Sequence, residues 1–130
     1  MTFKSNHISV SINCPAGRVY EFISNPLNLP KWASGLSASI KNINGEWIAE
    51  SPNGKVKVKF AEKNKFGILD HSVTLPSGVE VYIPLRVLSN NAGSELIFTL
   101  YQLPGMSDQF FAKDIETVKK DLWKLKTLLE

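Results

Sequence analysis

The chain has 130 residues, 43% of them hydrophobic and 21% charged, and a formal net charge of +3 at pH 7. This length suits one domain over residues 1–130 with a real core, and the composition excludes a disordered chain. Because acidic residues lie near most of the basic ones, so small a charge does not by itself predict a nucleic-acid or membrane partner.

The cysteine content and the first residues indicate a reducing, cytoplasmic location. Cys14 is the only cysteine, which excludes an internal disulfide and a multi-cysteine metal site. Residues 1–4 lack the apolar run of a signal peptide, and no segment approaches membrane-spanning length. We therefore expect no integral membrane association.

The first part of the chain predicts a strand followed by two short helices. Isoleucine and valine alternate with serine over residues 8–12, which is the period of a half-buried strand. Pro15 suits the first position of a helix with Cys14 as its cap, and the apolar spacing extends this helix over residues 15–24. An Asn-Pro pair then ends it, before a second short helical turn over residues 27–32.

From residue 36 onward the pattern changes to six strands joined by short turns. Asn44-Gly45 is typical of a two-residue hairpin. Four further turns are predicted from their Gly, Pro, Asn and Ser content, at residues 51–54, 64–67, 76–78 and 89–94. This is an antiparallel meander, to which the strand at residues 8–12 can add a seventh strand.

The last part of the chain predicts one long helix over residues 107–129. Apolar residues recur there every three or four positions: Phe111, Ile115, Val118, Leu122, Leu125 and Leu129. Ser107 and Asp108 place a cap and a negative charge at the helix start, where the helix dipole favours them.

The turns also fix the strand register, and register decides which side chains share a face. The predicted pairs beside the five turns are Ile43 with Glu46, Glu50 with Lys55, Glu62 with Leu69, Leu75 with Val79, and Leu88 with Glu95. All five registers agree on one apolar inner face, formed by Leu36, Ala38, Ile40, Asn42, Trp47, Ala49, Val56, Val58, Phe60, Leu69, His71, Val73, Leu75, Val81, Ile83, Leu85, Val87, Leu96, Phe98 and Leu100. One helix about 10 Å across cannot cover this face, so a bent sheet, the short helices or a bound apolar ligand must fill the rest.

Three segments in this order resemble a known superfamily. They are CPA at residues 14–16, NPLNLPKW at residues 25–32 and, after the sheet, DLWKLKTLLE at residues 121–130. The chain resembles the START/Bet v 1-like (SRPBCC) superfamily, especially its small polyketide cyclase/dehydrase-like members, over nearly its whole length. The resemblance implies an α+β helix-grip fold, in which a curved antiparallel sheet of about seven strands wraps around the long C-terminal helix. Members bind lipids, sterols, polyketides or hormones, some are cyclases and others assist chaperones, so the fold leaves the function open.

His71 is the only ionisable side chain predicted on the inner face. In a cavity its imidazole could hydrogen-bond a ligand carbonyl or act as a general acid or base. The alternative is a structural histidine that is satisfied by Asn42, a backbone group or water. With two histidines, no acid cluster at metal spacing and no glycine-rich phosphate loop, we predict no metal and no cofactor.

Aromatic and apolar residues of the inner face and the long helix are the remaining candidates for a ligand site. Trp32 and Trp47 could stack on a flat ligand ring or could be core aromatics. The full set of predicted ligand-binding residues is Trp32, Asn42, Trp47, Phe60, His71, Ile83, Phe98, Phe111 and Ile115.

Arg86 is a candidate anion-binding residue that the register places on the outer face. Asp70 lies about one diagonal step away on that face, so a surface ion pair is expected. A bulge at Pro84 would reverse this parity and turn Arg86 into the pocket.

Three functions are compatible with these residues. The first is a binding protein for a small hydrophobic molecule, such as a polyketide, lipid or aromatic metabolite, held between the sheet and the long helix. The second is a cyclase or dehydrase in which His71 assists proton transfer. The third is a protein-interaction module like chaperone co-regulators, acting through the outer face with its stripe at Lys55, Lys57 and Lys59. No nucleic-acid partner is predicted, and a homodimer stays open.

Overall fold

The computed structural model describes residues 1–35 and 39–130, and these contain eight strands and three α-helices. The strands are β1 (Ser5–Ile12), β2 (Ile40–Ile43), β3 (Glu46–Ser51), β4 (Gly54–Phe60), β5 (His71–Thr74), β6 (Glu80–Ile83), β7 (Leu85–Asn90) and β8 (Gly93–Tyr101). The helices are α1 (Ala16–Ser24), α2 (Leu29–Trp32) and α3 (Asp108–Leu129), and a 3₁₀ turn at Pro26–Asn28 precedes α2. None of the helices described could cross a membrane.

The strands form two antiparallel sheets, in the orders β1-β8-β7 and β2-β3-β4-β5-β6. The predicted pairs beside three turns lie in the strand ladders: Ile43 with Glu46, Glu50 with Lys55, and Leu88 with Glu95. At a fourth turn the Leu75 N–H donates to the Val79 carbonyl at 2.9 Å. The β4–β5 ladder has the predicted register but ends at Phe60 and His71, before it reaches Glu62 and Leu69.

Pro84 splits one predicted strand into two. Residues 79–88 were expected to form one strand, but Pro84 separates β6 from β7, since proline has no N–H to donate to a ladder. Strand β6 pairs with β5, whereas β7 pairs with β8. The α+β helix-grip architecture is therefore confirmed, with eight strands in two sheets where about seven in one sheet were predicted.

The segment before β5 joins the two sheets next to this break. The Leu69 N–H donates to the Leu85 carbonyl at 2.8 Å, and the Val87 N–H donates to the Gly67 carbonyl at 3.0 Å. Gly67 has a φ of +71°, and a Cβ atom there would lie 2.2 Å from the Val87 carbonyl oxygen. Glycine is required at this position because both the backbone conformation and the close approach exclude a side chain.

Helix α1 begins one residue later than predicted. Pro15 is its N-cap residue, and no side chain caps the first turn. The prediction that Cys14 caps this helix was therefore wrong. The Cys14 N–H instead donates to the Ile12 carbonyl at 2.8 Å, and its side chain is buried in the core.

Helix α3 matches its prediction closely. Ser107 is the N-cap, and its side chain accepts the Phe110 N–H at 3.1 Å. Its buried side chains are Phe111, Val118, Leu122, Leu125 and Leu129. The main contacts of α3 are with β1 and α2, and α1 packs on β7 and β8. The helices therefore pack mainly on the three-stranded sheet and cover less of the five-stranded sheet.

Candidate ligand site on the five-stranded sheet

Two rows of inner-face side chains cross the five-stranded sheet. The ladder of β4, β5 and β6 pairs Phe60 with His71 and His71 with Ile83. A second row of paired residues lies beside it: Trp47, Val58, Val73 and Val81. Strand alternation places both rows on one face, so the predicted apolar inner face exists in this part of the sheet.

His71 lies within the first row and is 5% exposed. Its ring centroid is 4.9 Å from that of Phe60 and 6.3 Å from that of Phe98, the latter edge-on. Nδ1 lies 3.1 Å from the Leu69 carbonyl oxygen, an acceptor, so Nδ1 carries the proton of a neutral ring and Nε2 is the acceptor. Burial lowers the pKa of His71, which the Leu69 hydrogen bond opposes, so the imidazole is neutral at pH 7.

The rest of this face is only partly covered. Trp47, Phe60, Val73 and Ile83 are half-buried, in contrast to the fully buried Leu85 on the three-stranded sheet. Ile115 of α3 and Met106 before it are also half-buried against the same core. Apolar side chains of the five-stranded sheet therefore remain available for contact.

A cleft of about 420 Å³ opens beside this face. Its apolar lining comes from Trp47, Val58, Phe60 and Pro26. Its polar lining comes from Ser24, Glu46, Lys57 and Lys59, of which Glu46 and Lys57 form a salt bridge at 2.8 Å. Its volume lies in the range of small-molecule sites. His71 is not one of its lining residues, but the His71 ring lies against Phe60, which is.

The other predicted site residues lie in three different environments. Phe98 and Phe111 are buried in the core, and Ile115 is half-buried. Trp32 is 3% exposed, and its Nε1 has no hydrogen-bond partner within residues 1–35 and 39–130. Asn42 is exposed, and its Oδ1 accepts the Gly45 N–H at 2.9 Å.

Asn42 pairs with Trp47 as predicted, but it is exposed at the turn end of the β2–β3 hairpin. Its side chain binds its own turn, so the predicted alternative in which Asn42 satisfies His71 is not observed. Leu75, which was predicted on the inner face, is 38% exposed because it lies beyond the end of β5. Leu36 and Ala38 lie outside the described residues.

Arg86 lies on the outer face and pairs with Asp70, as predicted. Its Nε is 2.8 Å from Oδ1 and its Nη2 is 2.9 Å from Oδ2. Tyr82 donates its hydroxyl to Oδ2 at 2.7 Å, and the Leu85 N–H donates to Oδ1 at 2.9 Å. The Arg86 guanidinium lowers the pKa of Asp70 to about 2, against the effect of burial. Because Ile83 and Leu85 both point inward, Pro84 does not reverse the parity.

Sequence reasoning missed two carboxyl groups on α3. Asp114 and Asp121 are both half-buried, and burial raises the pKa of each. The Asp121 Oδ1 accepts the Ser34 N–H at 3.2 Å, which ties α3 to the residues after α2. The signal was present, since residues seven apart share a helix face and these two lie beside the apolar stripe.

Comparison with known proteins finds solved structures that have a similar fold. Neither a family model nor a curated protein matches the chain. A START superfamily protein from Mycobacterium smegmatis superposes with a TM-score of 0.71 at 9% identity, covering 97% of this chain and 99% of that one. The chain has the START-type helix-grip fold.

Two further structures share this START-type fold. The Aha1 dimer from Colwellia psychrerythraea matches with a TM-score of 0.72 at 18% identity, over 98% of this chain and 96% of that one. DynU16, from the dynemicin biosynthetic locus, matches with a TM-score of 0.72 at 16% identity. The match covers 96% of this chain but only 46% of DynU16, so the chain spans about half of that protein. These superpositions establish the fold alone, and the ligand and the activity require separate evidence.

Proposed function

We propose that this protein binds a small hydrophobic molecule on the inner face of the five-stranded sheet, entering by the cleft that Trp47 and Phe60 line. The observation that carries the proposal is the partial cover of the apolar rows, where Trp47, Phe60, Val73 and Ile83 stay half-buried. Side chains of this kind normally complete a core, so a ligand that covers them gains the hydrophobic free energy that folding leaves unused.

The lining indicates the chemistry of the ligand. Trp47 and Phe60 offer flat surfaces on which an aromatic or polycyclic ring can stack, each such contact contributing about 1 kcal/mol beyond area burial. The neutral His71 behind Phe60 has Nε2 as an acceptor for a ligand hydroxyl. A polyketide, a lipid or an aromatic metabolite with one hydroxyl would suit this combination.

Acid/base catalysis by His71 is the second candidate, in the manner of a cyclase or dehydrase. The favouring observation is that burial lowers the pKa of His71, so a neutral imidazole is available to accept a proton at pH 7. Binding remains the first proposal because it requires only apolar cover, whereas catalysis also requires His71 Nε2 to reach the reacting atom.

Native mass spectrometry of protein purified gently from its host tests the binding proposal. We expect a co-purifying small molecule, and we expect Trp47→Ala to lose it. Phe3→Ala is the control, since it removes an exposed aromatic side chain that does not line the cleft. Retention of the molecule by Trp47→Ala, or its loss from both variants, would contradict the site. Wild-type protein that neither carries a ligand nor binds one from a host lipid extract would contradict the function.

A further inference from the structure

The solvent side of the C-terminal half of α3 carries a surface that the fold does not need. A shallow groove there is lined by Lys119, Lys120, Trp123, Lys124, Thr127 and Leu128, which we call the Lys–Trp face. Trp123 is 63% exposed and Leu128 is 49% exposed. The buried stripe of α3 already supplies its core contacts on the opposite side. Large parts of these two apolar side chains therefore stay in contact with water, which is unfavourable.

The charges around these apolar side chains are positive. Lys120 and Lys124 form no salt bridge within the described part of the chain. Lys119 lies 3.4 Å from Glu116, which offsets its charge, so the net positive charge of this face comes from Lys120 and Lys124. Lys126 Nζ lies 5.8 Å from the centroid of the Trp123 ring, but it is paired with Glu130 and adds little net charge. An apolar centre with a cationic rim complements a surface that is anionic outside and apolar beneath.

We propose that the Lys–Trp face docks onto an anionic phospholipid bilayer. The tryptophan ring is suited to the headgroup layer, where its apolar body and its N–H are both satisfied, and lysine ammonium groups pair with lipid phosphates. The surface is a convex helix with a shallow groove, which a deformable bilayer accommodates without a complementary pocket. A second copy of the chain fits poorly, because it would oppose the same lysines across the contact.

Vesicle co-sedimentation and tryptophan fluorescence test this docking with the full chain. We expect binding to vesicles of phosphatidylcholine mixed with phosphatidylglycerol and little binding to phosphatidylcholine alone. Trp123→Phe should keep the binding but lose the blue shift of emission on binding. Lys120→Glu with Lys124→Glu should weaken partitioning by about tenfold or more, since each lysine near an anionic surface contributes severalfold.

The matched control is Lys41→Glu with Lys55→Glu, which makes the same charge change on exposed positions of β2 and β4 outside the cleft. It should reduce vesicle binding far less than the α3 double variant. Equal loss in both double variants, no vesicle binding, or equal binding to neutral vesicles would each overturn the proposal. So would binding to polyglutamate or to duplex DNA that matches the vesicle affinity and depends equally on Lys120 and Lys124. Ligand binding at Trp47 is read separately by mass spectrometry, so either proposal can fail alone.

Discussion

Arg86 binds both carboxylate oxygens of Asp70 on the outer face of the sheet, with N–O distances of 2.8 and 2.9 Å. Asp70 is 4% exposed, whereas the Arg86 side chain is 49% exposed. The same carboxylate accepts the Leu85 N–H, the first backbone donor after Pro84. The side chain of Asp70 thus fixes the strand at the point where proline interrupts the ladder.

Replacing Asp70 should destabilise the protein strongly. Asp70→Ala leaves the buried Leu85 N–H without an acceptor, and we expect a loss of about 2–4 kcal/mol in the free energy of unfolding. Urea unfolding of the variant measures it. Glu46→Ala, which removes an exposed pair with Lys57, is the control and should change stability little. Equal effects in the two variants would show that Asp70 acts only as a surface charge.

The Asp70 carboxylate should also account for part of the loss of folding stability at acid pH. The pKa of Asp70 falls from 3.8 to about 2 on folding, so the unfolded chain binds its proton first as pH falls. Its stabilising contribution is present above pH 3.8 and disappears as the pH drops towards 2. Unfolding free energies of wild type and Asp70→Asn, compared across this window, should converge on acidification. Curves that stay parallel would contradict the assignment.

His71 should give a pH dependence of the same sign in a higher window. Burial lowers the pKa of His71 from 6.5, so the unfolded chain takes up the proton more readily. Stability is therefore full above pH 6.5 and declines as the pH falls below it. His71→Gln should remove this decline, because the amide of glutamine can still donate to Leu69 and does not titrate. Thermal unfolding of both proteins between neutral and mildly acidic pH measures it, and an unchanged decline would exclude His71.

The His71→Gln variant also separates the two candidate functions. We expect it to retain most ligand binding, because the apolar rows remain, and to lose any turnover. Mass spectrometry of bound ligand and a turnover assay on that ligand measure the two properties. Full turnover in the variant would remove His71 from the chemistry, and loss of binding alone would make it a ligand contact.

Two glycine substitutions should have opposite signs. Gly67→Ala places a Cβ atom 2.2 Å from the Val87 carbonyl oxygen at a positive φ, and we expect a loss of at least ~2 kcal/mol. Gly17→Ala in α1 meets nothing within 4 Å and should stabilise by about 0.5–1 kcal/mol. Denaturant unfolding of both variants checks the pair. A tolerated alanine at position 67 would mean that the 67–69 segment can leave β7.

The sequence encoded strand parity well because turn residues act locally. Asn44-Gly45 fixed the β2–β3 register, and the loop between Glu62 and Leu69 placed Phe60 beside His71. Parity does not say how much of a face is covered, which depends on where α3 packs. The exposure of Asn42 and the partial cover of Trp47 were therefore beyond local pattern.

The Asp70–Arg86 pair was predictable from the sequence, but the burial of Asp70 was not, again because burial depends on tertiary packing. Opposite charges at Asp70 and Arg86 on one face indicated a pair. The burial of Asp70 arises from Tyr82 and from the freed amide of Leu85, and both depend on the strand break at Pro84. A tertiary break in a strand has no local signature beyond the proline itself.

Pro84 also marks the junction of the two sheets, because β6 is an edge strand of one and β7 is an edge strand of the other. The five-stranded sheet carries Phe60 and His71, and the three-stranded sheet contacts α3 through β1. Asp70 precedes β5 of the first sheet and bonds to Leu85 and Arg86 of the second. Polar contacts on the outer face therefore tie the two sheets together at the point where proline separates them.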